Sequence, residues 1–234
     1  MKHLPNLLTL ANLFCGTVAV IFAVQENYIN TGLFVILGII FDFFDGFAAR
    51  LLKVSGELGK QLDSLADMVT SGVVPGIIMV NLLGNSFTNT SNSFLQEYTF
   101  SISLIGLLLT LGSCLRLAKF NLDERQSNSF IGLPTPAMSL FVISLPLIQQ
   151  YTDIEIIKDL VESSYFLIVT TLVLTYLMNA EILLFSLKFK TFGFKENFIK
   201  YLFLLMSIVI IILIPLLSIP IIIILYVVIS ILKK

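Results

Sequence analysis

Residues Phe41–Asp67 read FDFFDGFAARLLKVSGELGKQLDSLAD, with four aspartates set in two apolar stretches joined by a short polar turn. Asp42, Asp45, Gly46, Ala49 and Arg50 recur at offsets of three and four, so a helix carries them on one face. Gly59, Asp63 and Asp67 do the same on the second stretch. The short turn predicts two antiparallel neighbouring helices, whose acidic faces then meet around one cavity.

Charge decides what such a cavity needs. An aspartate near a bilayer centre costs about 2.5 to 3.5 kcal/mol on insertion scales, and close like charges add repulsion. Four aspartates against Arg50 leave three uncompensated negative charges. One or two divalent cations would neutralise that surplus, and hard oxygen ligands suit Mg²⁺, Mn²⁺ or Ca²⁺. Gly46, Ala49 and Gly59 lack bulk on the same faces, which leaves room beside a metal for a flat or phosphorylated ligand. A carboxylate left partly free would take a proton from an attacking hydroxyl, so the residues themselves suit phosphoryl transfer.

The rest of the chain is oily. At 234 residues, 57% hydrophobic and with a mean hydropathy of +0.98, it reads as one all-α, polytopic transmembrane domain over 1–234. Eight segments are expected to cross, over 5–24, 28–52, 60–83, 99–121, 134–150, 163–187, 197–214 and 217–232. Pro215 and Pro220 interrupt the last apolar run, so 197–232 reads either as two spans or as one span and a surface piece. Segments 5–140 carry the chemistry; 163–232 add bulk or a contact with a second copy. Cleavage-site patterning of a signal peptide is not evident in the long first segment. Cys15 and Cys114 sit in apolar segments and read as packing residues, and His3 as a solvated terminal residue.

Basic residues set the orientation. With the N-terminus inside, Lys2, Arg50, Lys53, Lys60, Arg116, Lys119, Arg125, Lys188, Lys190, Lys195, Lys200, Lys233 and Lys234 share the cytoplasmic side, and of the 14 basic residues only Lys158 faces out. This asymmetry predicts both termini in the cytoplasm. Asp42 and Asp45 then lie roughly 8 to 12 Å inside the cytoplasmic end of their helix, at 1.5 Å per residue.

Smaller signals surround this core. Asn6, Thr9 and Asn12 recur every three residues and form a polar stripe that either caps and bonds helices or reaches a ligand beside the aspartates; Asn12 is the weakest candidate. Gly72, Pro75 and Gly76 predict a kink in the third segment. Arg116 and Lys119, three apart at a cytoplasmic end, either snorkel to lipid phosphates or hold an anionic group, with Asn121 and Thr135 as weaker neighbours. Glu181 is read as a helix-end or dimer-contact residue. Asn89-Thr90-Ser91 matches a glycosylation sequon in a loop rich in such residues, a chance match.

The spacing Asp42-x2-Asp45-Gly46-x2-Ala49-Arg50-x8-Gly59-x3-Asp63-x3-Asp67 resembles the signature of the CDP-alcohol phosphatidyltransferases at every position. The openings LPNLLTLANLFCG and RLAKFN, followed by FIGLPTPA, resemble the phosphatidylserine synthase branch of that family. The resemblance covers 3 to about 140. It implies that Asp42, Asp45 and Asp63 bind metal, and that Asp67 contacts metal or acts as base. It places Asn6, Thr9, Gly46, Ala49, Arg50 and Gly59 against the CDP-lipid, and Arg116 and Lys119 against acceptor or phosphate. It also implies CDP-diacylglycerol and L-serine as substrates, Mg²⁺ or Mn²⁺ as cofactor with Ca²⁺ able to occupy the site, a homodimer in the inner membrane with a cytoplasm-facing site, and no nucleic-acid partner. Glycerol 3-phosphate or an inositol compound remains an alternative acceptor. A cation-coupled transporter, from another class, would also use intramembrane aspartates, but should show interrupted helices in two halves.

Overall fold

The computed structural model describes residues 3–54, 56–88, 98–123, 130–185 and 193–232. The sequon Asn89-Thr90-Ser91 and the basic residues Lys2, Arg125, Lys188, Lys190, Lys233 and Lys234 lie outside the described residues.

Helix α1 (Leu4–Val24) starts with Pro5 in its first turn, where a missing N–H does no harm. Its inward stripe is Pro5, Thr9, Asn12, Cys15, Gly16, Ala19 and Ala23, while Leu7 and Phe14 point out at 60% and 67% exposure. Small and polar side chains face in and large apolar ones face out, as expected where lipid replaces water. Helix α2 (Tyr28–Leu52) is capped by Asn27, whose Oδ1 accepts from the backbone N of Asn30 at 3.3 Å. It ends at Lys53 in the left-handed region, φ 52°.

A long third span follows. It consists of α3 (Glu57–Asp67), a wide π-helical turn (Met68–Val73) and α4 (Val74–Thr88), together 32 residues. The sequence predicts a kink here, and the backbone answers with the wide turn, placed just before Pro75, which has no N–H to continue a regular ladder. Thr110 Oγ1 donates to Gly72 O at 3.0 Å and satisfies an acceptor on that turn. Helices α5 (Thr99–Ser103) and α6 (Leu108–Leu122), with a 3₁₀ turn at Leu104–Leu107 between them, form the next span. Then come α7 (Thr135–Tyr151), the short α8 (Glu155–Glu162), α9 (Ser164–Asn179), α10 (Phe194–Leu213) and α11 (Ser218–Leu232).

Helix α4 is the buried axis. Val74, Ile78, Met79 and Leu83 are fully covered, and α1, α5, α7 and α9 pack around them. Among the described residues, five helices are long and apolar enough to cross a membrane, or six when the bent pair α8–α9 counts as one span. Five or six of the eight expected crossings are thus supported among the described residues; α7 has 17 residues, and the apolar part of α10, Asn197–Leu213, is short. The segment expected over 163–187 stops at Asn179, because the chain beyond it pairs as a strand. β1 (Phe130–Ile131) and β2 (Leu183–Leu184) run antiparallel, Ile131 opposite Leu183. Pro215 opens a 3₁₀ turn that separates α10 from α11, so 197–232 holds two helices.

One expectation about packing changes. α1 runs along both α2 and α3, whereas α2 and α3 scarcely touch each other. The acidic faces converge because both helices lean on α1, and the gap between them stays open. Close approach of α1, α2 and the π turn depends on Gly16 and Gly38: a Cβ on Gly38 would lie 2.8 Å from both Asn12 Oδ1 and Thr70 Cγ2. Gly38→Ala is expected to destabilise the protein by about 1–3 kcal/mol, read as a lowered melting temperature in detergent. Gly84→Ala, where a Cβ meets nothing within 4 Å, should leave that temperature unchanged or higher.

Candidate active site

Helix α2 carries Asp42 and Asp45 one turn apart, and α3 carries Asp63 and Asp67 one turn apart. Asp42, Asp63 and Asp67 come together, each offering a carboxylate oxygen within 4.8 Å of the others. Asp45 stands aside from that triad. It is 6% exposed and accepts from Thr9 Oγ1 at 2.5 Å. Thr9 Oγ1 also lies 3.1 Å from Pro5 O, but its single proton serves one acceptor at a time. Thr9 thus ties the second acidic residue of α2 to α1.

Asn12 makes the corresponding link to α3. Fully buried, it donates from Nδ2 to Asp67 Oδ1 at 3.2 Å, and its Oδ1 accepts from Thr70 Oγ1 at 2.8 Å. Both ends of the amide are used, so its orientation is set by partners on either side. Thr70 lies in the π turn, which places that turn against the back of the carboxylate cluster. Asn12, ranked last in the stripe by sequence, is therefore the member that holds a cluster carboxylate directly. Thr70 was missed altogether; its place three residues after Asp67, on the same face, is the signal that pointed to it.

A cleft of about 540 Å³ opens beside the cluster, within the 300–1,000 Å³ common for small-molecule sites. Asn6, Thr9, Asp45, Gly46, Ala49, Gly59 and Asp63 line it. Of the six residues expected against a CDP-lipid, five are thus on its wall; Arg50 is exposed in the last turn of α2 and is not among the lining residues. A Cβ on Gly46 would meet nothing within 4 Å, so any larger residue there projects into open space. Lys60, read in the sequence only as one of the cytoplasmic-side cations, also lines the cleft and donates from Nζ to the carbonyl of Asn121. Asn121 in turn donates from Nδ2 to Ser64 Oγ at 2.8 Å, so this weaker candidate braces α3 against α6.

Asp42 feels the charges of Asp67, Asp63 and Asp45 together. The attraction acting on Asp67 comes from Arg116, 8% exposed, with its guanidinium 5.9 Å from the Phe120 ring centroid. Lys119, expected as its partner, is exposed. The two cations are thus separated, one facing the site and one facing out. Three hard-oxygen donors in reach of one point, with one guanidinium against them, fit a divalent cation.

An all-helical membrane domain with a carboxylate cluster beside a nucleotide-sized cleft defines the class, and the chain belongs to the CDP-alcohol phosphatidyltransferase family, whose model matches residues 2–178. It is similar to the CDP-diacylglycerol–serine O-phosphatidyltransferase of Bacillus subtilis (strain 168), 33% identical over 149 residues, which cover 62% of this chain and 76% of that protein. It is similar to the enzyme of the same name from Helicobacter pylori (strain J99), 30% identical over 141 residues, covering 59% of this chain and 55% of that one. Archaetidylserine synthase of Methanothermobacter thermautotrophicus is 27% identical over 154 residues, 64% of this chain and 60% of the relative.

Mn²⁺ titration of the purified protein, followed by electron paramagnetic resonance, is expected to show binding that Asp63→Asn abolishes. Asn12→Ala should weaken it by about 10- to 100-fold, the usual effect of losing a residue that orients a metal ligand. Unchanged affinity in Asn12→Ala would show that the amide does not position Asp67.

Proposed function

We propose that this protein transfers the phosphatidyl group of CDP-diacylglycerol to the hydroxyl of L-serine, giving phosphatidylserine and CMP. The observation that carries the reading is the Asp42–Asp63–Asp67 triad opening onto a cleft walled by Asn6, Thr9, Gly46 and Gly59. The serine acceptor is supported by the names of the Bacillus and Helicobacter relatives.

In this reading Asp42, Asp63 and Asp67 hold Mg²⁺ or Mn²⁺, and Asp45, facing the cleft, completes the site for a second ion. A bound cation would neutralise the pyrophosphate oxygens and the charge developing on the departing CMP. The cytidine side of the substrate fills the space that Gly46, Ala49 and Gly59 leave open. Phe43, Phe44 and Phe47, 64%, 49% and 50% exposed on α2, offer apolar surface to the acyl chains. Asn12 orients the Asp67 carboxylate, so that an oxygen lone pair not engaged by the metal can receive the proton of the serine hydroxyl. The hydroxyl oxygen attacks the phosphorus that bears diacylglycerol, a new P–O bond forms, and the bond to the CMP oxygen breaks. Arg116 sets a positive charge toward Asp67, against the repulsion of its acidic neighbours.

The site faces the cytoplasm in this proposal, in the inner membrane. The support is the clustering of basic residues on the side where Arg50, Lys53, Lys60, Arg116 and Lys119 lie. A soluble acceptor then enters from the cytosol while the lipid tails remain in the bilayer.

The test is acceptor-dependent CMP release from CDP-diacylglycerol in detergent with Mg²⁺ or Mn²⁺. L-Serine should support release, glycerol 3-phosphate and inositol should not, and EDTA should stop it. Asp67→Asn is expected to lower kcat by about 10²- to 10⁴-fold. Release with glycerol 3-phosphate in place of serine would overturn the acceptor, and release that persists in EDTA would overturn the metal.

A further inference from the structure

Asn12 stands between a carboxylate and a hydroxyl. An ionised carboxylate only accepts hydrogen bonds, so Asp67 takes the Nδ2 end of the amide, at 3.2 Å. The opposite end, Asn12 Oδ1, accepts from Thr70 Oγ1 at 2.8 Å. Thr70 Oγ1 also lies 3.3 Å from the backbone carbonyl of Asn12, but its single proton serves one acceptor at a time, and the contact with the amide is the shorter. A hydroxyl donating to the carbonyl end of an amide polarises it and strengthens its N–H groups as donors. The chain of bonds therefore runs one way, from Thr70 through Asn12 to Asp67.

Thr70 is itself held from two further sides. It is 1% exposed, in a π turn that packs on α1 and α2. A Cβ on Gly16 of α1 would collide with Thr70 Oγ1, and a Cβ on Gly38 of α2 would lie 2.8 Å from Thr70 Cγ2. The hydroxyl is thus turned to α1 and the methyl to α2, and the β-branch leaves χ1 little freedom. Both contacts lead back to the acids. Gly16 is one turn beyond Asn12, and Gly38 is one turn before Asp42 on the face of α2 that carries Asp42 and Asp45. A single side chain, three residues after Asp67, is therefore seated against both neighbours of the span that bears Asp63 and Asp67.

We propose that Thr70 is a positioning residue for the carboxylate cluster: its hydroxyl fixes the Asn12 amide and, through that amide, the Asp67 carboxylate, while its methyl sets the distance between the π turn and α2. The inference rests on the reading of the triad as a cation site and deepens it. The π turn gains a role by the same argument, because it is the element that brings Thr70 into the crevice left by Gly16 and Gly38.

Two substitutions separate the two branches of the side chain. Thr70→Val keeps the shape and removes the hydroxyl; Thr70→Ser keeps the hydroxyl and removes the methyl. Mn²⁺ affinity of the purified protein, read by electron paramagnetic resonance and so independent of turnover and of the acceptor, is expected to fall roughly tenfold in Thr70→Val. Thr70→Ser should stay within about threefold of wild type, although its melting temperature falls. In an Asn12→Ala background the valine substitution should cost no more than about twofold further, because residues that act through one another are not additive.

Wild-type Mn²⁺ affinity in Thr70→Val, whatever its melting temperature, would overturn the proposal, since the residue would then only pack. Equal losses in the valine and serine variants, or a full tenfold loss from Thr70→Val in the Asn12→Ala background, would overturn it as well. Each of these results leaves the cation site standing. A wild-type protein that binds no Mn²⁺ would overturn the cation site and this inference with it.

Discussion

Mutual repulsion among carboxylates in an apolar surround is the constraint that shapes this molecule. Each aspartate costs a few kcal/mol at membrane depth even when alone, and Asp42 faces three others. The structure answers with hydrogen bonds and a cation. Thr9 donates to Asp45, Asn12 to Asp67, and Arg116 sets one positive charge against Asp67. Two donors and one guanidinium do not balance four carboxylates, and the remainder is what a divalent cation would supply in the proposed function. Carboxylates held close against their mutual repulsion by these hydrogen bonds are well suited to bind a cation strongly.

Helix α1 is where these answers originate. Its small and polar stripe faces the protein, and three of that stripe's members reach the cleft or the acidic cluster. The close approach that makes this possible needs Gly16 and Gly38, because larger residues would push the π turn and its Thr70 away from Asn12. The wide turn itself follows directly after Asp67. A regular helix would rotate the residues after Asp67 to other directions, so the local backbone irregularity and the site geometry are parts of one arrangement.

The acidic cluster was legible in the sequence because its residues are close in sequence and obey helical spacing. Asp42, Asp63 and Asp67 needed only the i, i+3 and i+4 rule and a short turn to be brought together. Gly46 and Gly59 were readable for the same reason. The long-range partners were harder. Asn12 and Asp67 are separated by 55 positions, and no periodicity within either helix distinguishes Asn12 from Asn6. Likewise, Arg116 and Lys119 share a helix face by spacing, but the packing of α6 against the π turn and α9 buries one and exposes the other. The end of α9 was misread because apolar residues continue past Asn179, while the backbone there pairs with Ile131, a partner that hydropathy does not reveal.

Whether the triad on α2 and α3 is a divalent-cation centre is read from anomalous diffraction of crystals grown with Mn²⁺. An anomalous peak at about 2.0–2.6 Å from carboxylate oxygens of Asp42, Asp63 and Asp67, the range for hard cations, is the predicted result. Data showing no peak there at saturating Mn²⁺, or a peak elsewhere with the triad empty, would contradict it.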